Sequence, residues 1–417
     1  MTLERVGKSW SRRRLPLGPG LLVTAAFIGP GTVITASRAG TEFGCELLWA
    51  VLLASIGTIL LQSLAARLGI ETGSGLSEAI RSALAGTKWL WPTLALIILA
   101  IGFGNAAYQT GNLTGAVVGV TALIGGSAKL WVTLLTAIVI ALIGFGKDKL
   151  LQGTLIILVC ILSVAFLVTA AIALPTSERI LQGLLVPTVS AENLSLVVAL
   201  IGTTIVPYNL FLHASRTATA WENVPRASAL RSARIDTVFS ISLGGLVTAS
   251  ILLTACRAFY DQGLQWDSPG QIARQLQPTM GTLSSITFAL GLFAAGLTSA
   301  ITAPLATAYA VCGCLGWSTK TDSNKFRIIA ISVVLIGAMA AIVLDGSPVS
   351  TIVAAQIANG LLLPVIGIIM LLVVRRQVLA RQSHMSRLSI VAAWAVVSLI
   401  GALGLWRTAT GLMRLFE

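Results

Sequence analysis

The residues FIGPGT at positions 27–32 interrupt the first long apolar run of this chain, and GTTIVPYN at positions 202–209 interrupts a later one. Proline has no amide hydrogen and clashes with the preceding helical turn, so neither run continues as one regular helix. Irregular backbone within a membrane persists only where protein or a water-filled cavity satisfies its polar groups. The two interruptions therefore predict two unwound helices whose free backbone groups face a common cavity.

The composition is that of an integral membrane protein. Of the 417 residues, 56% are hydrophobic and 10% are charged, and the mean hydropathy is +0.90. These values lie outside the range of soluble domains. A helix needs about 20 apolar residues to cross the hydrocarbon core. We place eleven spans near Leu17–Ser37, Leu47–Leu68, Leu90–Val120, Leu130–Phe145, Thr154–Ala173, Leu194–His213, Val238–Cys256, Ile286–Val311, Ile328–Leu344, Thr351–Val374 and Leu388–Leu405.

The positions of Lys and Arg predict the orientation, because these residues are retained on the cytoplasmic side. With a cytoplasmic amino terminus, the inner segments hold 21 of the 28 Lys and Arg residues, which also accounts for the net charge of +13. An odd number of spans then places the carboxyl terminus outside. We expect a multi-pass protein of a bacterial inner membrane, in contact with the lipid bilayer and without a nucleic-acid partner. The outer segments hold Arg38, Lys129, Arg179, Arg257, Arg274, Arg407 and Arg414.

The interruptions open two halves of five spans each. We predict a cytoplasmic tail at residues 1–16, a first half at 17–174, a second half at 194–374 and an additional helix at 388–405. Corresponding interruptions in two such halves are typical of the binding site of a secondary transporter. The alternative is a pair of proline kinks that serve only helix packing.

The residues around these interruptions resemble the Nramp family of divalent-metal transporters. The resemblance rests on GPGT at 29–32, EFG at 42–44, VPYNLFLH at 206–213, and Gln356 followed by Leu363-Pro364, and it covers nearly the whole chain in span order. It implies an all-α, LeuT-like fold of about eleven transmembrane helices. That fold has an inverted 5+5 repeat with one extra helix, discontinuous first and sixth helices, and a binding site at the two breaks. The resemblance further implies a small ion as substrate, with H⁺ or Na⁺ as a coupled ion.

The residues at the breaks depart from that family. Gly29 and Thr32 stand where the family has the Asp and Asn of Asp-Pro-Gly-Asn, Val206 replaces its Met, and Tyr208 replaces its His. None of the eleven predicted spans contains Asp or Glu. Thioether ligands favour transition metals and hard cations favour carboxylates. The sequence thus argues against high-affinity uptake of Mn²⁺ or Fe²⁺, and it does not define a set of metal ligands.

Three functions remain open. The first is transport of Mg²⁺ or of a weakly bound divalent ion, held largely through its waters by oxygen groups such as those of Thr32, Thr203 and Gln356. The second is transport of a small anion or organic acid, such as bicarbonate or a carboxylate, because half-helix N-termini carry partial positive charge. The third is a membrane sensor that does not transport. The predicted substrate-binding residues are Gly29, Gly31, Thr32, Thr203, Thr204, Val206, Tyr208, Gln356, Asn359, Tyr108, Gln109 and Asn112.

Several of these residues have a second interpretation. Tyr108 and Asn112 share one face of the third span, where they line the substrate path or form hydrogen bonds between helices. His213 is a candidate for the proton path and equally for a structural hydrogen bond. At the span edges, Asp236 and Glu46 are expected to be solvated or paired.

The sequence contains no pattern of catalytic residues. It lacks a phosphate-binding Walker loop, a nucleophile elbow and a metalloprotease HExxH motif. We therefore predict no enzymatic activity, no catalytic residue and no cofactor. The five cysteines are scattered and predict no disulfide framework. Cys312 and Cys314 are interpreted as a soft-metal pair or as small apolar fillers.

Overall fold

The computed structural model describes residues 18–145, 149–266, 268–343, 347–380 and 387–413. The predicted tail at 1–16 lies outside these residues. Within the described part the chain is helical and contains no strand. The helices that precede the second interruption are α1 (Pro19–Phe27), α2 (Pro30–Phe43), α3 (Leu48–Thr72), α4 (Leu76–Leu84), α5 (Leu90–Ile124), α6 (Ala128–Phe145), α7 (Lys149–Ile172), α8 (Ser177–Leu185) and α9 (Leu194–Thr204).

The second part of the chain begins with the helix that follows this interruption. Three short 3-10 helices, Tyr260–Gln262, Pro269–Leu276 and Gly281–Leu283, lie in the connection between the α-helix that ends at Ala258 and the one that begins at Ser284. The α-helices are α10 (Pro207–Ala220), α11 (Arg226–Ala258), α12 (Gln277–Met280), α13 (Ser284–Leu315), α14 (Asn324–Val343), α15 (Pro348–Ala380) and α16 (Arg387–Met413).

The described helices account for nine or ten of the eleven predicted spans. Nine segments are long and apolar enough to cross a membrane, and a tenth is obtained when α7 and α8, which meet at a bend of 119°, are counted as one. Helices α1 and α2 have 9 and 14 residues and form one interrupted segment. The predicted third span is a single 35-residue helix, α5, with no re-entrant end. At 1.5 Å per residue it is about 50 Å long, so it extends beyond the hydrocarbon core.

The interrupted helices lie at the centre of the packing. Ten of the eleven residues of α9 are buried, and α9 packs against α3 and α15. Helix α2 packs against α11, α15 and α9, while the long helices α5 and α13 pack against each other along their length. A side chain at Gly115 of α5 would overlap Pro30, so α5 passes directly beside the first break.

The predicted spans contain no acidic residue, but the helices are longer than the spans, and two of them carry buried carboxylates in the added residues. Helices α3 and α11 extend beyond the predicted spans and contain Glu71 and Asp236, which are buried. Periodicity does not reveal these extensions, because polar residues at a helix end resemble a loop in sequence. Glu71 forms ion pairs with Arg67 and Arg226. Glu46 is exposed, which agrees with the prediction for that residue.

Within the described chain, Asp236 is paired with backbone amides rather than with a cation. Its carboxylate accepts hydrogen bonds from the amides of Gly18, at 2.9 Å, and Gly20, at 2.7 Å. The first amides of a helix have no partner within the helix and carry partial positive charge, so a carboxylate stabilises them. Asp236 thereby fixes the amino-terminal end of α1 to α11, against which α1 packs.

We predict that Asp236→Asn loosens this end of α1. A charge-assisted hydrogen bond contributes about 1.5–3 kcal/mol, and an asparagine accepts through only one of its side-chain atoms. In a Val23→Cys background, where residue 23 is fully buried in the parent protein, maleimide labelling at position 23 should rise about tenfold, as measured by peptide mass spectrometry. Glu222→Gln, which removes an exposed carboxylate instead, is the control. Equal labelling in both variants would contradict the role of Asp236.

Candidate functional site

The first break is a two-residue interruption between α1 and α2. Helix α1 ends at Phe27, Gly29 is extended with φ −110° and ψ −175°, and Pro30 occupies the first turn of α2. Proline is well suited to this position because the amide it lacks would have no helical partner. The Phe27 carbonyl accepts hydrogen bonds from the Gly29 amide, at 2.8 Å, and from the Thr32 hydroxyl. The break is thus closed by its own backbone and by the Thr32 side chain.

The second break repeats this arrangement between α9 and α10. Helix α9 ends at Thr204, Val206 is extended, and Pro207 begins α10. The amide of Asn209 donates to the Val206 carbonyl over 3.1 Å. Both breaks were predicted from their proline residues, and each proline stands at the start of the second half-helix.

The two breaks are in direct contact through two hydroxyl groups. The Oγ1 atoms of Thr32 and Thr203 lie 2.8 Å apart, and both residues are fully buried. A hydroxyl has one proton, and that of Thr32 is donated to the Phe27 carbonyl. Thr203 is therefore the donor in the pair, and the unused capacity of the two oxygens consists of lone pairs. The pair is an acceptor toward any further partner.

Helix α15 brings the amide side chain of Gln356 to the first break and carries a second amide, Asn359, three residues further along. The Gln356 side chain lies so close to Gly31 that a side chain at position 31 would overlap it, and the Gln356 carbonyl lies equally close to Gly202. The Oε1 atom of Gln356 and the Nδ2 atom of Asn359 are buried and have no hydrogen-bond partner among the described residues. The glycines at 31 and 202 thus allow α15 to approach both breaks.

Two tyrosines that contact each other lie near Gly29. The rings of Tyr108 and Tyr208 meet edge to face, with centroids 5.5 Å apart. The Tyr108 hydroxyl lies 3.7 Å from the point that a Cβ on Gly29 would occupy, and the Ser299 hydroxyl lies 2.8 Å from it. These two hydroxyls fill the space beside Gly29 in which a larger side chain would lie. Sequence reasoning missed Ser299, which stands in a run of small residues on α13.

The remaining predicted site residues, of which Thr204 and Val206 lie at the second break, differ in their partners. The Gln109 amide donates to the Ala300 carbonyl over 3.1 Å and connects α5 to α13. The Thr204 hydroxyl bonds to Leu200 of its own helix. Asn112 is buried on the face of α5 that also carries Tyr108, and its Nδ2 atom has no partner within the described chain. Val206 is buried and apolar.

His213 has a neutral partner on a neighbouring helix. Its Nδ1 atom lies 2.9 Å from Oε1 of Gln62 on α3, and its carbonyl accepts from the Thr217 hydroxyl. The Nε2 atom is buried without a partner in the described structure. The sequence signal for this contact is Gln62 itself, a glutamine within an apolar span.

The site is electrically neutral apart from helix ends. Among the described residues no group of three or more His, Cys, Asp and Glu side chains is arranged to hold a metal ion, so Cys312 and Cys314 have no third ligand of this kind. Buried polar atoms without partners cost about 1–3 kcal/mol each. A polar ligand or its hydration shell would offset this cost for the atoms that lie beside the breaks. In the described chain, atoms of this kind belong to Tyr108, Tyr208, Asn112, Asn209, Gln356 and Asn359 and also to residues on other elements, such as Thr136 of α6.

Comparison with known proteins identifies one family. Residues 20–410 match the model of natural resistance-associated macrophage protein-like (Nramp) proteins. A protein of Ralstonia nicotianae named divalent metal cation transporter MntH is 29% identical over 414 residues, which are 95% of this chain and 91% of that protein. Divalent metal cation transporter MntH 1 of Pseudomonas aeruginosa is 31% identical over 370 residues, or 84% of this chain and 82% of the relative.

Solved structures confirm the fold class. A crystal structure of a mutant manganese transporter of Eremococcus coleocola superposes with a TM-score of 0.80 at 21% identity and covers 97% of this chain and 88% of that chain. The LeuT-fold transporter MhsT, in complex with L-phenylalanine, superposes with a TM-score of 0.59 at 16% identity, covering 96% of this chain and 99% of that chain. The predicted all-α, LeuT-like fold with two discontinuous helices is therefore confirmed.

We predict that Gly31→Ala destabilises the contact between α2 and α15. The added methyl group overlaps the Gln356 side chain, and overpacking of a filled interior costs about 1–3 kcal/mol. The apparent melting temperature of the purified protein should fall, and Gln356→Ala in the same chain should restore most of the loss. Gly102→Ala, at a helical glycine with open space around it, is the control. A Gly31→Ala protein as stable as the Gly102→Ala protein would show that α15 does not lie against this break.

Proposed function

We propose that this chain, which belongs to the Nramp family, is a secondary transporter of a divalent metal ion such as Mg²⁺. The ion would bind with low affinity at a neutral site formed by the two helix breaks. Relatives that cover most of the chain's length are named divalent metal cation transporters. The family and the apolar helices make it an integral multi-pass membrane protein. Because these relatives are named as transporters, we also propose that the chain has no enzymatic activity.

The observation that carries the proposal is the acceptor character of the Thr32–Thr203 pair. Both hydroxyl protons are used within the protein, so the two oxygens offer lone pairs, and the unpaired Oε1 atom of Gln356 adds another acceptor. Acceptor oxygens suit a cation or the hydrogens of its bound water. An anion would instead require donors at this point.

The neutral charge of the site decides how such an ion would be held. Complete dehydration of a divalent ion without a carboxylate is expensive, because burial of even one unpaired charge costs many kcal/mol. Mg²⁺ dehydrates reluctantly and usually retains several waters. Thr32, Thr203, Gln356 and Asn359 would then contact the ion mainly through those waters. We expect weak binding and little preference for transition metals.

A small anion or organic acid is the second candidate function, and a different set of atoms favours it. The hydroxyl groups of Tyr108 and Tyr208 and the Nδ2 atom of Asn112 are buried potential donors without partners in the described structure. Helices α2 and α10 also begin at the breaks and direct partial positive charge toward them. A carboxylate or bicarbonate would be bound by this donor set rather than by the threonine pair.

The proposed transporter also assigns roles to the two halves of the chain, to His213 and to the two termini. The halves at 17–174 and 194–374 would move relative to each other around the breaks, with helix 388–405 outside this repeat. His213, coupled to Gln62, is the candidate for a proton path, and H⁺ or Na⁺ is the candidate coupling ion. A cytoplasmic amino terminus and an outer carboxyl terminus complete the proposed arrangement in a bacterial inner membrane.

We predict that Thr32→Val reduces metal flux at least tenfold in proteoliposomes. The substitution keeps the shape of the side chain but removes the hydroxyl that links the two breaks. Influx of Mg²⁺ and Mn²⁺ should be measured with metal-sensitive dyes, and bicarbonate or formate uptake with a pH-sensitive dye. Thr248→Val removes a buried hydroxyl that bonds only to its own helix, at Gly244, and should leave flux unchanged. Anion flux that is indifferent to chelators, without metal flux, would favour the second candidate.

A second prediction restores a carboxylate at the first break. Gly29→Asp combined with Ser299→Ala should raise Mn²⁺ affinity at least tenfold, or by about 1.4 kcal/mol, because the carboxylate supplies the missing counter-charge. The Ser299 substitution removes the hydroxyl that a side chain at position 29 would meet at 2.8 Å. Gly29→Asn with Ser299→Ala has the same shape without the charge and is the matched control. If calorimetry gives the same Mn²⁺ affinity for the two double variants, the ion does not bind beside position 29.

A further inference from the structure

Two cysteines far apart in sequence lie side by side at one end of the helical bundle. The Sγ atoms of Cys45 and Cys256 are 3.6 Å apart, although the residues are 211 positions apart in the chain. Cys45 stands in the turn between α2 and α3, and Cys256 lies near the end of α11. Both are free thiols and both are buried.

Close backbone packing holds these two thiols together. A side chain at Gly40, in the last turns of α2, would overlap the Leu252 carbonyl and meet the Ala255 Cβ at 2.7 Å. On the other side, a side chain at Gly183 of α8 would overlap the Cys45 carbonyl. The backbone near each cysteine is therefore packed closely against a neighbouring segment, and separating the two would open the interior.

The neighbours of Cys45 favour its thiolate form, whereas the thiol of Cys256 also faces the Asp261 carboxylate at 3.8 Å. The Nη2 atom of Arg179 lies 3.5 Å from the Cys256 sulfur, and Arg179 also forms an ion pair with Asp261 over 2.6 Å. The hydrogen bond with Cys256, together with the positive charge of Arg179, lowers the pKa of the Cys45 thiol from its ordinary value, against the opposing effect of burial. A thiolate is the nucleophilic form of cysteine.

The two cysteines differ in their access to solvent. Cys45 lines a cavity of about 200 Å³ that it shares with Glu46, Arg179 and Tyr260. Cys256 does not line this cavity and is 0% exposed. A small reactant that enters the cavity therefore reaches Cys45 first, with Cys256 directly behind it.

We propose that Cys45 and Cys256 are an oxidisable thiol pair, a modification site at the outer ends of α2 and α11 that forms a disulfide with a small disulfide oxidant. A disulfide requires the sulfurs to close from 3.6 Å to about 2.05 Å, a movement that rotation of the two side chains can supply. The predicted orientation places this end outside the cytoplasm, where disulfides persist. The proposal does not depend on the substrate that the breaks bind.

The reaction is an ordinary thiol–disulfide exchange. The Cys45 thiolate attacks one sulfur of the oxidant, forms a mixed disulfide and releases the first thiolate of the oxidant, which takes up the proton lost by Cys45. Cys256 then loses its proton and attacks the Cys45 sulfur, which forms the Cys45–Cys256 bond and releases the second thiol of the oxidant. Two cysteine thiols are oxidised and one oxidant disulfide is reduced to two thiols, so electrons and protons balance.

The bond would fix the outer half of the first interrupted helix to α11. Helix α2 follows the break at Gly29 and ends one residue before the turn that contains Cys45. The disulfide would close a loop between positions 211 apart in the chain. Such a closure removes conformational freedom from the unfolded chain and stabilises the folded one. We expect a rise in apparent melting temperature on oxidation that a reductant reverses.

The test uses the full-length purified protein and oxidised glutathione as the probe. After oxidation, free thiols are alkylated under denaturing conditions, and the protein is digested without reductant and examined by mass spectrometry. The expected result is a linked peptide pair that contains Cys45 and Cys256, with the loss of two thiols per chain. Cys312 and Cys314 remain alkylated and serve as internal controls, because residues two apart on a helix do not face each other. Recovery of both Cys45 and Cys256 in alkylated form would overturn the proposal.

Two variants test the order of the steps. Cys256→Ser should stop at a glutathione adduct on Cys45, because the resolving thiol is absent. Cys45→Ser should leave Cys256 unmodified, since Cys256 has no direct access to the cavity. A glutathione adduct on Cys256 of the Cys45→Ser protein would overturn the assignment of Cys45 as the attacking residue. The linked peptide of the unaltered protein remains an independent readout if either variant fails to fold.

Discussion

The need to satisfy backbone groups inside a membrane governs the structure of this protein. Each break frees carbonyl and amide groups that have no water to bond with in the hydrocarbon core. The chain meets this need locally, through the Phe27 carbonyl and the Thr32 hydroxyl, and across the molecule, through the Thr32–Thr203 pair. The interrupted helices are consequently buried at the centre, and longer regular helices such as α5 and α13 surround them.

This constraint also explains why small residues recur beside the breaks. Helix α15 can supply Gln356 to the first break only because position 31 is glycine, and it can approach the second break only because position 202 is glycine. At position 29 the missing side chain is replaced by hydroxyl groups of Tyr108 and Ser299. The site is thus filled by neutral polar groups from neighbouring helices.

The sequence predicted the elements of the fold better than their contacts. Proline and glycine at the two breaks, together with apolar runs, were sufficient to place the interrupted helices and most of the spans. Contacts between distant positions were not predictable from a single chain. The pairing of Asp236 with the first turn of α1, of Gln62 with His213 and of Cys45 with Cys256 depends on how helices far apart in sequence pack. Gln109 was assigned to the site from its neighbours on the helix, whereas its amide bonds to α13.

The neutral site bears on how transport would be driven. A carboxylate beside a cation site can also carry a proton, so that one residue serves both substrate and coupling ion. At the described breaks no such group is present, and the imidazole of His213 pairs with Gln62 of α3. Binding of a cation and movement of a proton would then be separated in space. Coupling between them would have to pass through the orientation of α10, which carries His213 and begins at the second break. A weakly bound, largely hydrated ion is compatible with this separation, because its own waters satisfy the hydroxyl and amide groups without a transfer of protein charge.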